Sequence, residues 1–522
     1  MKKTLFILLA VLLTATSCNK DFLDSKPSDQ LSDTNFWKTS DDAKAGVAAI
    51  YNQLQSNSMA AANQSVFIYG WYLFTEGITP NGWIWSESGL GYQLISKGNH
   101  NAASSGAIPE RWKALYRGIY LANLAIENLP NVPMDATLKA RLIAEAKFLR
   151  ALFYYNLVDT YGGVPLVTSI LKLGEEQPAR SSKAEVISFI VAECTIAQAN
   201  LLAVYTTTDV GRATKGAAVT LQAKAYLLDN KFAEAAAACQ QVMAMNYSLY
   251  NNYEAMFTSV AAENNSEVIF DIQYVGGGLG EGGVHDARFG PASTSSAGFN
   301  SVFPTRELVD SYEMKNGKSI TDPTSGYDPA NPYSNRDPRL DYTIVRPGAV
   351  WRGLPYASIQ IQGGSATYLG YLFRKYVLTV TGNLVNDSPL NFIVFRYADV
   401  LLMYAEAKNE ITAVPDVTIY NAINQVRARP GVAMPAIDPG KTKDEMREII
   451  RNERKIELAF EGIYYSDIRR WGIAKDLMNG KSIRKINGDQ LDIRTFVDAF
   501  YLWPIPQGER DLNPSLTQNI GY

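Results

Sequence analysis

Along several stretches of this chain apolar residues recur every three or four positions. From Leu138 to Tyr161 they fall at Leu142, Ala146, Leu149, Phe153 and Leu157, which is one face of a helix. Gly162-Gly163-Val164-Pro165 ends that helix, because glycine and proline do not continue it. The same periodicity predicts helices over Glu110–Asn128, Ser181–Leu202, Thr214–Leu228, Phe232–Met243, Phe395–Glu410, Val417–Arg427 and Lys443–Phe460. A first helix opens near Asp41, with Asp41 as its expected cap and Val47, Ile50 and Leu54 on its apolar side.

Two stretches lack this rhythm. Residues 59–109 are rich in Gly, Ser, Asn and aromatics, and read as loops and short elements. Residues 246–394 open with strand-like text from Glu267 to Val275, then turn to Gly, Pro, Tyr and Asn. The expected architecture is therefore mostly α. A helical scaffold (about 41–55, 110–245 and 395–471) carries two long irregular insertions with short strands. Because the scaffold halves must pack together, residues 36–522 are expected to form one domain. The pair Thr214–Leu228 and Phe232–Met243, around Asp229-Asn230-Lys231, resembles a tetratricopeptide unit. Ala223, Ala225, Ala235 and Ala236 let its helices approach, and Tyr226 and Phe232 fill the space between them.

The N-terminus adds a compartment. Lys2 and Lys3 precede the apolar run Leu5–Leu13, followed by Ala15, Thr16, Ser17 and Cys18. This is the layout of a secretory signal, and the run is shorter than the ~20 residues of a membrane span. The small residues before Cys18 resemble a bacterial lipobox, although Ala15 stands where leucine is more usual. The expectation is a signal peptide over residues 1–17, lipidation at Cys18 and a polar tether over residues 18–35.

Composition narrows the function. The chain has 522 residues, 47% hydrophobic and 19% charged, which suits a globular body. A net charge of -3 without a basic stripe argues against nucleic acid as a partner. Cys194 and Cys239 lie in helical text and read as buried fillers. His100 and His285 belong to no metal-spaced cluster, so no metal or cofactor is expected. Gly278-Leu279-Gly280-Glu281-Gly282-Gly283 matches a dinucleotide fingerprint, but the text after it predicts no helix, and His285 beside it reads as a surface residue. Arg451, Glu453, Arg454, Glu457 and Glu461 read as an ion-pair ladder along one helix. Asp322, Asp328, Asp337 and Asp341 are oxygen donors in loop-like text, spaced to no calcium-loop signature.

The richest chemistry lies in the first insertion: Tyr69, Trp71, Tyr72, Phe74, then Asn81-Gly82-Trp83-Ile84-Trp85 and Tyr92. In an extended segment Trp83 and Trp85 point to one side. Two indoles on one face make a platform for the C–H faces of sugar rings, with Asn81, Glu76 and Glu87 as partners for hydroxyls. Tyr274, Phe299, Arg306, Trp351, Tyr356 and Tyr371 are further candidates in the second insertion, Arg306 as a donor to hydroxyls or a uronate. Glu76 and Glu87 are also the carboxylates nearest the tryptophans, the pair a glycoside hydrolase would need. No alternating β/α text supports an enzyme barrel.

A family resemblance runs through nearly the whole chain. Its marks are Asp21-Phe22-Leu23-Asp24, Phe36-Trp37, the run Ala144–Leu166, R-A-T-K-G-A-A from Arg212, F-R-Y-A-D-V-L-L-M-Y-A-E-A from Phe395, R-N-E-R-K-I-E-L-A-F-E-G from Arg451 with Asp467, Arg469, Arg470 and Trp471, and L-W-P-I-P from Leu502. With these the chain resembles the SusD/RagB family of outer-membrane lipoproteins. The resemblance implies a scaffold of about four tetratricopeptide-like units and a glycan-binding face built by the insertions. It also implies a non-catalytic role at the cell surface, and a SusC-like TonB-dependent transporter as partner. A protein-binding lid without sugar affinity is the alternative.

Overall fold

The computed structural model describes residues 36–55, 72–85, 90–290, 298–358, 369–378 and 387–522. Cys18 and the tether, Tyr69, Trp71 and Glu87 lie outside them. Long helices run in sequence order as α1 (Ser40–Asn52), α2 (Ala107–Asn128), α3 (Ala136–Tyr161), α4 (Lys183–Asn200), α5 (Lys215–Leu228) and α6 (Phe232–Met243). After the second insertion come α7 (Tyr397–Ile411), α8 (Val417–Arg427) and α9 (Lys443–Glu457). Each packs on the next: α2 on α3, α3 on α4, α4 on α5, α5 on α6. The step from α6 to α7 is a direct contact too, although the insertion separates them in sequence. The fold is mostly α, as the periodicity predicts. Among the described residues no helix is long and apolar enough to cross a membrane.

The helix ends follow local chemistry. The cap of α1 is Thr39 rather than Asp41: its hydroxyl accepts from the Asp42 N–H at 3.2 Å, and its own N–H donates to Asp42 Oδ2 at 2.7 Å. That reciprocal box satisfies two otherwise orphaned donors at once, which Asp41 cannot do from inside the helix. In the α5–α6 pair Ala223, Ala225, Ala235 and Ala236 are buried, and Asn230 turns the chain with a φ of 56°. Cys194 and Cys239 are buried and free.

The second insertion is closed at its base. β2 (Val268–Ile272) leaves the scaffold and β4 (Phe392–Arg396) returns, paired antiparallel from Val268↔Arg396 to Ile272↔Phe392. The first insertion holds a 3-10 turn (Tyr72–Ile78), β1 (Gly82–Ile84) and a short helix (Tyr92–Ser96). Its β1 pairs antiparallel with β3 (Val302–Pro304) of the second insertion, so the two excursions form one body. Near the C-terminus, β5 (Ser482–Arg484) and β6 (Gln490–Ile493) make a hairpin. The tail Tyr501–Pro506 then inserts Trp503, whose indole N–H donates to the Tyr465 hydroxyl at 3.0 Å.

A buried ionic network locks insertion to scaffold. Glu457 accepts from Arg339 (2.9 Å), Arg396 (2.7 Å) and Arg429 (2.7 Å). Glu453 accepts from Arg339 and Arg427, Glu461 from Arg396 and Lys375, and Glu267 from Arg396 and Arg429. The expected ladder along the 451–461 segment is thus corrected. Glu453, Glu457 and Glu461 turn inward to cations of other segments, and Arg454 pairs with Asp399 and Asp467. Of that set, Arg451 makes a helix-surface pair, with Glu448. Arg469 and Arg470 are likewise structural, paired with Asp159 and with Glu406 and Asp467.

Glu76 supports the turn before β1. It is fully buried, and its Oε1 accepts from Asn81 Nδ2 at 2.7 Å while Oε2 has no hydrogen-bond partner. Burial pushes its carboxyl up to about 7, with the Asn81 bond opposing.

Two predictions follow from these buried carboxylates. Burial alone would raise Glu457, but Arg429, Arg396 and Arg339 overcome it and hold its carboxyl well below the usual range. Glu457→Ala leaves those guanidiniums unbalanced, and denaturant unfolding should show a loss of about 3–5 kcal/mol. The contribution of Glu457 is fully present above its unfolded pKa of about 4.3, and is lost as pH falls through the lower folded value. Glu76 has the opposite sign: its contribution is full below about pH 4.3 and is lost as pH rises through the folded value near 7. Glu76→Gln should remove that slope and leave the protein roughly 2–3 kcal/mol more stable at pH 8. A variant with unchanged pH dependence would refute the assignment.

Candidate functional site

β1 positions the aromatic residues. Its register is Gly82↔Pro304, Trp83↔Phe303 and Ile84↔Val302, and Trp85 N–H extends the ladder to the Ser301 carbonyl at 3.2 Å. The two indoles that the sequence predicts as one platform have different fates. Trp83 is 9% exposed, packs near Phe303 at 6.1 Å between ring centroids, and aims its N–H at Asp492 Oδ2 of β6, 3.5 Å away. It belongs to the core. Trp85 is half-buried, and its indole N–H donates to the carbonyls of Phe299 (3.0 Å) and Asn300 (2.7 Å). Gln93 Nε2 holds the Trp85 carbonyl at 2.8 Å. Beside it the Arg288 guanidinium lies 4.8 Å from the half-buried Phe299 ring. Burial lowers Arg288 to about 10.

The other predicted contacts divide sharply. Asn81 is fully buried and committed to Glu76, so neither faces a ligand, and Glu76 has no access to a scissile bond. Tyr92 is buried against Phe74, with rings stacked at 5.5 Å. Tyr274 is buried edge-on to His285 at 5.2 Å. Tyr72 is half-buried beneath Arg111 and over Gly462, where a side chain would collide with its ring. Trp351 and Tyr371 are buried, while Tyr356 is half-buried and donates to the Gly370 carbonyl at 2.7 Å. Arg306 is exposed and pairs with Asp310 at 3.1 Å. Large aromatics supply core volume as readily as binding surface, and Tyr92 and Tyr274 are corrected to that role, Asn81 to a hydrogen-bonding partner inside the buried turn.

Two further expectations change. A short helix, His285–Phe289, does follow the glycine run, held by Asp286 contacts to Leu378 N–H, Ser388 and Arg352. The glycine run itself is pinned elsewhere: the N–H groups of Gly277 and Gly278 donate to Asp387. His285 is fully buried, and burial lowers its pKa to about 4, so it is neutral. The four aspartates do not converge: Asp337 pairs with Arg339, Asp341 with Arg346, and Asp322 and Asp328 cap turns. Among the described residues no group of His, Cys, Asp or Glu is arranged to hold a metal ion.

The β5–β6 hairpin is a part of this face that the helix-oriented reading of the chain misses. Its signal is Asn487-Gly488 between the alternating residues Ile483, Arg484, Lys485 and Gln490, Leu491, Asp492, a favoured hairpin turn. It lies beside the start of β1 and encloses a cleft of about 230 Å³ with Pro80, Thr305, Arg306 and Arg494.

Known proteins match this chain from end to end. Residues 266–522 match the SusD family, and residues 21–227 match a family described as starch-binding and associating with the outer membrane. SusD-like protein P25 of Formosa agariphila is 28% identical, over 100% of this chain and 99% of that one. The crystal structure of a SusD-like carbohydrate-binding protein from Bacteroides fragilis is 30% identical, covers 92% of this chain and 100% of that one, and superposes with a TM-score of 0.83. A SusD-like protein described as laminarin-binding is 25% identical over 93% of this chain and 100% of its own, with a TM-score of 0.72. The split scaffold, the strand that joins its two insertions and these matches lead to one assignment: the chain belongs to the SusD family.

Proposed function

We propose that this protein is a cell-surface lipoprotein that captures oligosaccharides without cleaving them and passes them to a SusC-like TonB-dependent transporter. The residue 1–17 signal and lipidated Cys18 anchor it to the outer membrane in this reading, and residues 36–522 form its single folded domain. Family membership supports glycan binding, as does the 25% identical relative described as binding laminarin.

The observation that carries the reading is the state of Trp85. Its indole N–H is already satisfied by two backbone carbonyls, so the partly buried ring is held in place before any ligand arrives. A fixed aromatic face loses little conformational freedom on binding, which is how a weakly polar sugar face is captured at useful affinity. The partly buried Phe299, whose carbonyl holds the Trp85 indole, is a second ring beside it, and the buried Arg288 guanidinium packs against that ring. Trp71 lies in the same stretch of sequence and belongs to the proposed binding set with Trp85. Trp83 supports the strand from behind.

Calorimetric titration of the full-length protein in detergent against neutral and charged oligosaccharides, laminarin fragments included, tests this. Trp85→Ala should weaken binding by about tenfold without changing stability greatly. Trp83→Ala should instead lower stability by about 3–5 kcal/mol, as emptied core sites do. Full affinity in Trp85→Ala would move the site away from β1. Hydrolysis of any bound oligosaccharide would overturn the non-catalytic reading.

A further inference from the structure

The cleft between the β5–β6 hairpin and the start of β1 differs from the rest of the molecule in charge. Arg306, Lys481, Arg484, Lys485 and Arg494 line it, against one lining carboxylate, Glu307. Pro80, Ile483 and Ile486 give it an apolar floor and wall. The whole chain carries a net charge of -3, so five cations on one small concavity are a local reversal of sign. Of these, Arg306 is neutralised by Asp310. Lys481, Arg484 and Lys485 stand in no ion pair with a described carboxylate; Arg484 donates to the Gly488 carbonyl of its own turn.

Arg494 is the decisive side chain. It is 3% exposed, and its guanidinium donates to the Ser96 hydroxyl at 3.1 Å and to the Gly82 carbonyl. Both acceptors are neutral, and no described carboxylate pairs with it. Burial lowers its pKa to about 10. Four other buried guanidiniums, those of Arg339, Arg396, Arg429 and Arg454, each face two or more carboxylates, whereas Arg336, like Arg494, donates to neutral acceptors but does not line the cleft. Glu307 and Asp492 act on Arg494 only from beyond ion-pair distance and do not offset its burial; a buried cation so weakly balanced is costly, and an anion in the cleft would supply the closer partner.

We propose that this cleft binds an anionic substituent, a carboxylate or a sulfate, of the captured glycan. The inference rests on the glycan-binding reading and adds the charge class of its ligand. The volume fits one charged sugar or group rather than a chain, since pockets that enclose whole ligands run ~300–1,000 Å³. Arginine forks match the paired oxygens of carboxylate and sulfate, and the lysines add charge without demanding one geometry. The site is distinct from Trp85. Pro80 and Trp85 stand at opposite ends of the β1 segment, roughly 16 Å apart at an extended rise. Gly82 nevertheless couples the two, because its carbonyl is the acceptor that Arg494 holds.

The test is calorimetric titration of the full-length protein in detergent with size-matched oligosaccharides: a neutral glucan, a uronic-acid polymer fragment and a sulfated fragment. The comparison variant is the triple substitution Lys481→Gln, Arg484→Gln, Lys485→Gln, which touches the hairpin surface and leaves the core intact. At least one acidic ligand should bind about tenfold tighter than the neutral one, and the triple variant should lose that margin while keeping its neutral affinity. Raising the salt should shrink the margin in the same way. Equal affinity for neutral and acidic ligands, unchanged in the variant, would overturn the cleft assignment and leave glycan binding standing. No binding to any member would overturn both. A variant that loses binding to anionic phospholipid vesicles yet keeps its preference for the acidic oligosaccharide would reassign the cleft to a lipid surface.

Discussion

Three guanidiniums from separate segments meet at the Glu457 carboxylate, and the geometry of the molecule depends on that meeting. Arg396 is the last residue of β4, Arg339 belongs to the second insertion, and Arg429 follows α8. The backbone carbonyl of Glu457 adds Lys375 of the insertion at 3.0 Å and Tyr253 at 2.7 Å. Such a cluster forms in full or is penalised heavily, because each ion is stripped of water and each must find its partners. It therefore selects one docking of insertion on scaffold. A hydrophobic contact of equal area would tolerate sliding, and a set of forked Arg–carboxylate pairs does not.

That constraint explains how a mostly helical protein carries so much irregular chain. Pairing β2 with β4 brings the two ends of the insertion together, so its length adds little to the entropy of closing the loop. The ionic cluster fixes its base, and β1–β3 pairing fixes it to the first insertion. What remains free to vary is the outer surface. Function is then set by side chains on segments whose backbones are already held, which is the usual division between scaffold and binding loops.

The helices of this protein are legible in its sequence because burial of one face leaves a period that survives in the text. Phe232–Met243 and Val417–Arg427 can be read to the residue, and Ala107–Asn128 to within a turn. Of the strands, β2 lies within the strand-like text Glu267–Val275, but the shortest ones are not legible, for the complementary reason. Gly82–Ile84 and Val302–Pro304 have three residues each, too few to show alternation, and they pair across more than 200 positions. The aromatics mislead through their neighbours. Asn81 and Gly82 make the stretch look like a surface loop, yet the turn is buried under β3 and the hairpin, and Asn81 is consumed by Glu76. Glu453, Glu457 and Glu461 mislead through their spacing. Steps of four fit a surface ladder and an inward row equally, and the cations that decide between them lie 26 to 118 residues away in sequence, beyond any local window. The hairpin is the exception, since Asn487-Gly488 is a local signal.

The proposed binding face thus consists of joins. Trp85 comes from the first insertion and is oriented by carbonyls of the second; Trp83 reaches Asp492 near the C-terminus; Arg494 reaches back to Gly82. None of these three segments could hold its side chain alone, because short strands and turns have little stability of their own. A ligand touching Trp85 and the cleft would engage all three, and each contact would tighten the others through β1. Substitutions at the hairpin surface change which charge is welcomed without disturbing the strand. Substitutions at Asn81, Trp83 or the Arg494 guanidinium disturb the strand itself. Specificity and integrity are carried by adjacent side chains of opposite exposure, and that adjacency lets a ligand preference vary while the fold beneath it is retained.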